Sequence, residues 1–138
     1  MDEYQRQDLR LLRSAPNYRA YLGRLCEPHV TGRRVLEIGA GLGDLGRQLS
    51  QYGPRSLMLA EPGAECYAEL ASLHLPGVET TRRFSHELAH ASPGEWDTVV
   101  YSNVLEHIED DAAELRTAAS LLAPLGHLLV IVPAHPWL

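Results

Sequence analysis

A run of glycines preceded by one acidic residue, between Arg33 and Leu49, has the residue types and spacing to bind a nucleotide-like ligand. The stretch reads RRVLEIGAGLGDLGRQL. From Gly41 it spells G-x-G-x-x-G, the fingerprint of dinucleotide binding, and from Glu37 it spells E-x-G-x-G-x-G. Both interpretations require a strand before the glycines and a helix after them.

The end of the preceding strand distinguishes the two interpretations. The apolar residues 35–38 are typical of a buried parallel strand, so the first glycine after it is Gly39. Asp44 then occupies the place of the third fingerprint glycine. A carboxylate at Glu37 has no obvious use beside a pyrophosphate, but it can pair with the ammonium group of a cofactor that carries an amino acid. Because bare glycine backbone lets such a cofactor approach closely, we favour the interpretation that begins at Glu37.

A second acidic residue, Glu61, follows the next predicted strand, 22 residues beyond Gly39. Its carboxylate can accept hydrogen bonds from both hydroxyls of a ribose. A ribose is present in dinucleotides and in nucleoside cofactors that carry an amino acid. Glu61 therefore suits both classes of cofactor, and Glu37 is the residue that discriminates between them.

Apolar runs that alternate with helical segments predict an α/β fold with a mainly parallel sheet. The predicted strands cover residues 35–38, 56–60, 77–83, 96–103 and 127–133, and the predicted helices cover 44–51, 66–73 and 110–122. Such sheets bind ligands beyond the carboxyl ends of their strands, which places Gly39, Glu61, Asn103 and Pro133 on one rim. Residues 1–31 are predicted to form an N-terminal helical segment and residues 32–138 the core of the same single domain.

Composition and charge narrow the class of protein. The chain has 138 residues and a net charge of −6, so a broad electrostatic footprint for nucleic acid is missing. Cys26 and Cys66 are too few and too far apart to suggest a disulfide framework or a zinc site. The charged start and the lack of a long apolar run predict neither a signal peptide nor a membrane span, so we expect a cytoplasmic location.

Four blocks in order resemble class I S-adenosylmethionine-dependent methyltransferases. They are VLEIGAGLG, EPG, WDTVVYSNVLEHIEDD and LLAPLGHLLVIVPAH, and the similarity covers roughly residues 17–135. They resemble more narrowly a bacterial group with the core V-L-E-I-G-x-G-x-G, N-V-L-E-H-I-x-D-D and V-P-A-H. The resemblance implies a Rossmann-like sheet in the order 3-2-1-4-5 with helices on both faces, and S-adenosylmethionine as the cofactor.

The resemblance also implies which residues contact the cofactor. Glu37 and the glycines line its methionine end, Glu61 holds its ribose, Asn103 lies beside its amino-acid portion, and Tyr18 or Tyr21 closes over the site. Many relatives have an aspartate for adenine after the third strand. The aligned place here is about Phe84, so we expect stacking and backbone contacts instead. The implied cofactor-binding set is Tyr18, Glu37, Gly39, Ala40, Gly41, Glu61, Pro62, Phe84, Ser85 and Asn103.

The implied reaction is methyl transfer by in-line displacement, which needs positioning, desolvation and at most one base. His107 and His135 are the candidate bases. Some methyltransferases hold a metal with the motif E-x-x-E-H. The corresponding residues here are Asn103, Glu106 and His107, and because Asn103 replaces the first carboxylate, we expect no metal. The D/N-P-P-Y block of base-amino and glutamine methyltransferases is absent, which favours a small-molecule acceptor over nucleic acid.

Two departures from the family remain. The family sheet has seven strands, whereas this sequence ends just after the fifth, so we expect a core that lacks the last two strands. Its fifth strand would be an apolar edge, which predicts self-association. The turn before that strand carries Gly126-His127 in place of paired glycines.

Two alternatives stay open: an incomplete cofactor-binding core without catalysis, and an NAD-dependent oxidoreductase.

Overall fold

A computed structural model describes residues 16–133 of the chain. The prediction of a base at His135 therefore lies outside the described residues. The strands are β1 (Arg34–Ile38), β2 (Ser56–Ala60), β3 (Val78–Thr81), β4 (Trp96–Ser102) and β5 (Leu122–Ile131). The helices are α1 (Pro16–Cys26), α2 (Asp44–Ser50), α3 (Ala64–Ser72), α4 (Ser85–Ala91) and α5 (Asp111–Leu121), with 3₁₀ turns at Glu27–His29 and Leu105–His107.

The five strands form one parallel sheet in the order β3-β2-β1-β4-β5. The fold class and the strand order expected from the sequence are thereby confirmed. A helix connects each strand to the next, as parallel neighbours require. The chain runs outward from β1 to β3 and then returns to the other side of β1 at β4. This reversal places the switch point, where such sheets bind ligands, at the carboxyl ends of β1 and β4.

Buried apolar residues cover both faces of the sheet. Because successive strand residues point to opposite faces, Val35 and Leu36 belong to different clusters. One cluster joins the sheet to α1, α2 and α3, and it includes Leu22 and Cys26 of α1. The other joins it to α4 and α5. The first helix is therefore built into the same core as the sheet, and it lies on the face that Glu37 shares with Val35.

Two parts of the secondary structure differ from the sequence prediction. Helix α4 was not predicted. Strand β5 begins at Leu122, five residues before the expected start, because its first residue pairs with Trp96. The next pair joins Thr98 to His127, so β5 contains three extra residues at this point. Leu125 in this excursion has φ of +63° and is 95% exposed.

Strands β3 and β5 form the two edges of the sheet within residues 16–133. On β5 and just beyond it, Val130 and Val132 are exposed. Self-association through this strand stays a prediction. Across the same residues, no helix combines the length and the apolar character that crossing a membrane demands.

Candidate functional site

An open cleft lies at the carboxyl ends of β1 and β4. This is the place where sheets of this type bind ligands. Three segments form its walls: helix α1, the glycine loop after β1, and the end of β4. The lining residues are Tyr18, Arg19, Leu22, Glu37, Gly39, Ala40, Gly41, Leu42, Asp44, Leu45, Ser102 and Asn103. Six residues of the predicted cofactor set thus meet in one place: Tyr18, Glu37, Gly39, Ala40, Gly41 and Asn103.

Glu37 is the unusual group in this cleft. Its side chain lies at the end of β1, is 2% exposed, and has an oxygen, Oε2, without a hydrogen-bond partner in the structure. Burial, with the nearby charges of Asp44 and Glu61, raises the pKa of Glu37 to about 8. Burial and the charge of Glu37 likewise raise the pKa of the Cys26 thiol to about 11. An orphaned, buried acid at the base of a cleft fits a ligand that brings a cationic hydrogen-bond donor.

The glycines after β1 have separate tasks. Gly39 and Gly41 adopt φ of +68° and +55° beside the cleft. A Cβ at Gly39 would stand 2.5 Å from Cγ2 of Val104. Gly46 lies one turn into α2, where a Cβ would stand 2.5 Å from Cδ1 of Leu59 and 3.0 Å from Oε2 of Glu37. The first two glycines therefore shape the cleft, and Gly46 allows α2 to pack closely on the sheet.

Glu61 braces the glycine loop. Its Oε2 accepts a hydrogen bond from the backbone N–H of Gly41 at 2.9 Å, and its Oε1 accepts one from Gly63 at 2.8 Å. Each carboxylate oxygen has a second lone pair, so both can still accept from a ligand. Glu61 and Pro62 follow β2 and do not belong to the residues that line the cleft. The structure thus places the second acid beside the loop, next to the cleft.

Asn103 ends β4 in the left-handed region, with φ of +54°. Its backbone N–H donates to the carbonyl of Ile131 at 2.8 Å, which ties the end of β4 to β5. Asparagine tolerates this conformation better than most residues do. Together with Ser102 it lines the cleft at the end of β4.

Helix α1 supplies the third wall. Tyr18 lines the cleft as predicted, and so does Arg19, which the sequence analysis did not identify. Nη1 of Arg19 lies 3.2 Å from Oδ1 of Asp44, so an ion pair joins α1 to the start of α2. No local sequence pattern marks this contact, because the two residues are 25 positions apart.

Phe84 and Ser85 lie beyond β3, outside the group of residues that line the cleft. Phe84 is 55% exposed, and its ring stacks on His86 with 5.6 Å between centroids. Ser85 is buried, and Tyr101 is fully buried near the end of β4. The hydroxyl of Tyr101 donates to Oε1 of Glu114 at 2.7 Å. Burial, and then the hydrogen bond to Glu114, raise the pKa of Tyr101 far above its ordinary value.

His107 lies in the 3₁₀ turn after β4 and is exposed, as is Glu106. Its backbone N–H donates to the carbonyl of Val104, and its side chain is not part of the cleft lining. A catalytic role for His107 stays a prediction. Within residues 16–133, no three His, Cys, Asp or Glu side chains are grouped so that they could hold a metal ion.

Comparison with known proteins now identifies the fold. A family described as "Methyltransferase domain" matches residues 4–138. The chain is 36% identical over 104 residues to a ubiquinone biosynthesis O-methyltransferase of Xanthomonas euvesicatoria pv. vesicatoria, covering 73% of this chain and 43% of that protein. A protein with the same description from Ralstonia nicotianae is 30% identical over 102 residues, covering 72% and 42%. The chain spans less than half the length of these relatives.

Solved structures agree. The complex of DhpI with SAH matches with a TM-score of 0.69 and 29% identity, over 91% of this chain and 60% of that one. An S-adenosylmethionine-dependent methyltransferase structure from Methanococcus maripaludis matches with a TM-score of 0.73 and 18% identity, over 84% and 55%. At that identity the second match shows the fold alone. From the family match and the relatives together, the chain belongs to the methyltransferase-domain family, as its four sequence blocks predicted.

Proposed function

We propose that this chain binds S-adenosylmethionine and transfers its methyl group to a hydroxyl of a small-molecule acceptor. The observation that carries the proposal is the buried Oε2 of Glu37, which has no hydrogen-bond partner among residues 16–133 and lies beside a loop of bare glycine backbone. A nicotinamide dinucleotide brings no ammonium group to such an acid. An amino-acid-bearing cofactor does, and it would satisfy the orphaned oxygen with a charge-assisted hydrogen bond.

The charges of the cleft suit both ends of an amino acid. Glu37 would hold the ammonium group, while Arg19 is the one basic side chain among the lining residues that the structure describes. Its guanidinium uses Nη1 for Asp44, which leaves further N–H groups for a carboxylate. We therefore add Arg19 to the proposed site. Ser102 and Asn103 offer polar contacts on the opposite wall.

The nucleoside would follow the neighbouring strands outward from Glu37. Glu61 comes directly after β2, and both of its oxygens can still accept hydrogen bonds from ribose hydroxyls. Phe84 comes after β3 and offers an exposed ring on which an adenine can stack. In the sheet order β3-β2-β1, the candidate contacts Phe84, Glu61 and Glu37 follow the order of adenine, ribose and amino acid in the cofactor.

When bound, S-adenosylmethionine supplies an activated methyl group on its sulfonium. The chain's own residues then have to orient the two reactants and exclude water. Relatives described as ubiquinone biosynthesis O-methyltransferases support an oxygen acceptor on a small molecule. His107 and His135 stay candidates for the base that such an acceptor needs.

The test is a calorimetric titration of the chain with S-adenosylhomocysteine, with NADH as the control. We expect micromolar binding of S-adenosylhomocysteine alone, and methyl transfer to a hydroxylated aromatic acceptor when the radiolabelled cofactor is supplied. Replacing Gly41 by Val should abolish binding, because the side chain would block the approach to the loop. Binding of NADH alone would contradict the proposal. Binding without transfer to any acceptor would favour the incomplete core instead.

Glu61→Ala tests the proposed ribose contact. Losing charge-assisted hydrogen bonds to two hydroxyls should weaken binding of S-adenosylhomocysteine by about 1–3 kcal/mol. Because Glu61 also holds the amides of Gly41 and Gly63, Glu61→Gln is the matched variant, since it retains one acceptor oxygen. Unchanged affinity in both variants would remove Glu61 from the site.

A further inference from the structure

Two arginines and an aromatic ring follow strand β3 at the rim of the sheet. Residues 82–86 read RRFSH, and the first three of them are exposed. Nε of Arg82 donates to the carbonyl of Pro62 at 3.3 Å, so its guanidinium lies against the loop that carries Glu61. A nucleoside whose ribose is held by Glu61 therefore has its base beside this segment.

Two backbone carbonyls beside this segment already receive hydrogen bonds. The carbonyl of Thr81, the last residue of β3, accepts from the backbone N–H of Glu61 at 3.0 Å. The carbonyl of Pro62 accepts from Arg82. Residues 82–86 themselves contain no carboxylate or amide side chain, so they add no strong acceptor to the rim.

Three side chains after Phe84 can accept hydrogen bonds, but their positions keep them from a base that stacks on its ring. The ring of His86 lies on one face of Phe84, with 5.6 Å between centroids and 19° between planes, so a base stacks on the other face. Ser85 is only 6% exposed. Oε2 of Glu87 accepts the backbone N–H of Phe84 at 2.8 Å, which commits this carboxylate to the start of α4.

Hydrogen-bond donors, by contrast, are plentiful on this rim. Arg82 uses Nε for Pro62, which leaves its two terminal nitrogens, and Arg83 adds a second exposed guanidinium. A guanidinium donates hydrogen bonds and accepts none. Adenine presents a 6-amino donor beside the N7 acceptor, whereas a 6-oxopurine presents two acceptors, O6 and N7, which arginine can bind together. The segment is therefore complementary to the 6-oxo edge.

We infer that this segment holds the base of the cofactor by its face and through an acceptor edge, so that a 6-oxopurine nucleoside binds as well as adenosine. Phe84 supplies the stacking surface, which every base can use. Arg82 is the specificity-determining residue, because its guanidinium is held against Pro62 beside the ribose contact. The inference rests on the proposed function, since it concerns the base of the same cofactor.

Calorimetric titrations of the chain with S-adenosylhomocysteine and with S-inosylhomocysteine test this inference. The two probes differ only in the 6-amino or 6-oxo group and in the N1 proton that accompanies it. A site that binds the 6-amino group with an acceptor would lose about tenfold or more in affinity on this exchange. We expect the Kd of S-inosylhomocysteine to be at most about threefold that of S-adenosylhomocysteine, and a larger ratio would overturn the inference.

Arg82→Ala tests the specificity-determining residue. It removes the donors and also the bond to Pro62, so the ratio of the two Kd values is the informative readout. We expect the ratio to shift in favour of adenine by about fivefold, whereas loss of the loop contact alone would weaken both ligands equally. Arg55→Ala is the matched control, because Arg55 is exposed just before β2, at the opposite end of the sheet, and should leave the ratio unchanged. An unchanged ratio in Arg82→Ala would overturn its role.

Phe84→Ala tests the stacking surface. It should raise both Kd values by about tenfold and leave their ratio unchanged, because stacking does not distinguish the two bases. A rise for one ligand only, or for neither, would overturn this part of the inference.

Failure of this inference and failure of the proposed function give different results. Binding of S-adenosylhomocysteine with a much weaker binding of S-inosylhomocysteine would overturn the inference alone. Binding of neither ligand would overturn the proposed function, and the inference with it.

Discussion

Replacing Glu37 by Gln should stabilise the protein at neutral pH while impairing cofactor binding. In the folded chain the pKa of Glu37 is raised from 4.5 to about 8, chiefly by burial. The unfolded chain therefore ionises this acid above pH 4.5, whereas the folded chain keeps it protonated up to about pH 8. Because the unfolded state alone gains from ionisation in this window, stability falls as pH rises through it.

The size of the effect follows from the shift. At pH 7 the unfolded state has gained about 3 kcal/mol from ionising this group, and at pH 5 less than about 1 kcal/mol. A neutral glutamine of the same shape removes that gain. We expect the free energy of unfolding of Glu37→Gln to exceed that of the wild type by up to about 3 kcal/mol at pH 7 and by less than about 1 kcal/mol at pH 5.

Urea unfolding of the two proteins at pH 5 and pH 7 measures this difference. Glu79→Gln is the matched control, because Glu79 is an exposed glutamate on β3. A difference between Glu37→Gln and the wild type that is the same at both pH values would refute the reasoning. So would a glutamine variant that is less stable at pH 7.

The same group should make cofactor binding depend on pH. Glu37 must lose its proton before it can pair with an ammonium group, so wild-type affinity for S-adenosylhomocysteine should increase roughly 70-fold between pH 5.5 and pH 7.5. Binding to Glu37→Gln should be weaker and almost independent of pH. A wild-type affinity that does not change with pH would mean that Glu37 does not receive the ammonium group.

Three further substitutions test the packing and the charges around the site. Gly46→Ala places a methyl group against the buried Leu59. In urea unfolding it should lower the free energy of unfolding by about 1–2 kcal/mol, and a stabilised variant would be inconsistent with close packing of α2. Leu125 has a left-handed backbone and is 95% exposed, so Leu125→Gly should relieve strain, raising the free energy of unfolding by about 0.5–1 kcal/mol and raising Tm with it. A lower Tm would exclude strain at this position. Hydrogen bonds from the side chain and backbone of Arg34 lower the pKa of Asp97 from 3.8 to about 2, so this pair should stabilise the fold above pH 3.8 and lose that contribution as pH falls toward 2. Acid titration of Asp97→Asn should lack this loss, and an unchanged acid profile would show that the pair contributes nothing.

Local sequence was enough to predict the sheet and the chemistry of its rim. Apolar runs such as 35–38 identify buried parallel strands, because both faces of those strands are covered. The acid at Glu37 and the glycines after it indicate the type of ligand through their functional groups and backbone freedom alone. Helix α4 was not predicted, since its seven residues include two histidines and give only a short apolar pattern. The early start of β5 depends on pairing with Trp96, which no local pattern reveals.

Tertiary structure decided what each of these residues does. Gly46, which lies outside the favoured E-x-G-x-G-x-G pattern, serves the contact between α2 and Leu59. Phe84 and Ser85 lie outside the cleft lining, whereas Arg19 lines the cleft and pairs with Asp44. These roles depend on contacts between residues far apart in the chain. A local sequence pattern reports only the types of neighbouring residues and their spacing. The sequence therefore determined the fold class and the class of cofactor by local periodicity and functional groups, while burial and long-range packing set the protonation of Glu37 and the arrangement of the site.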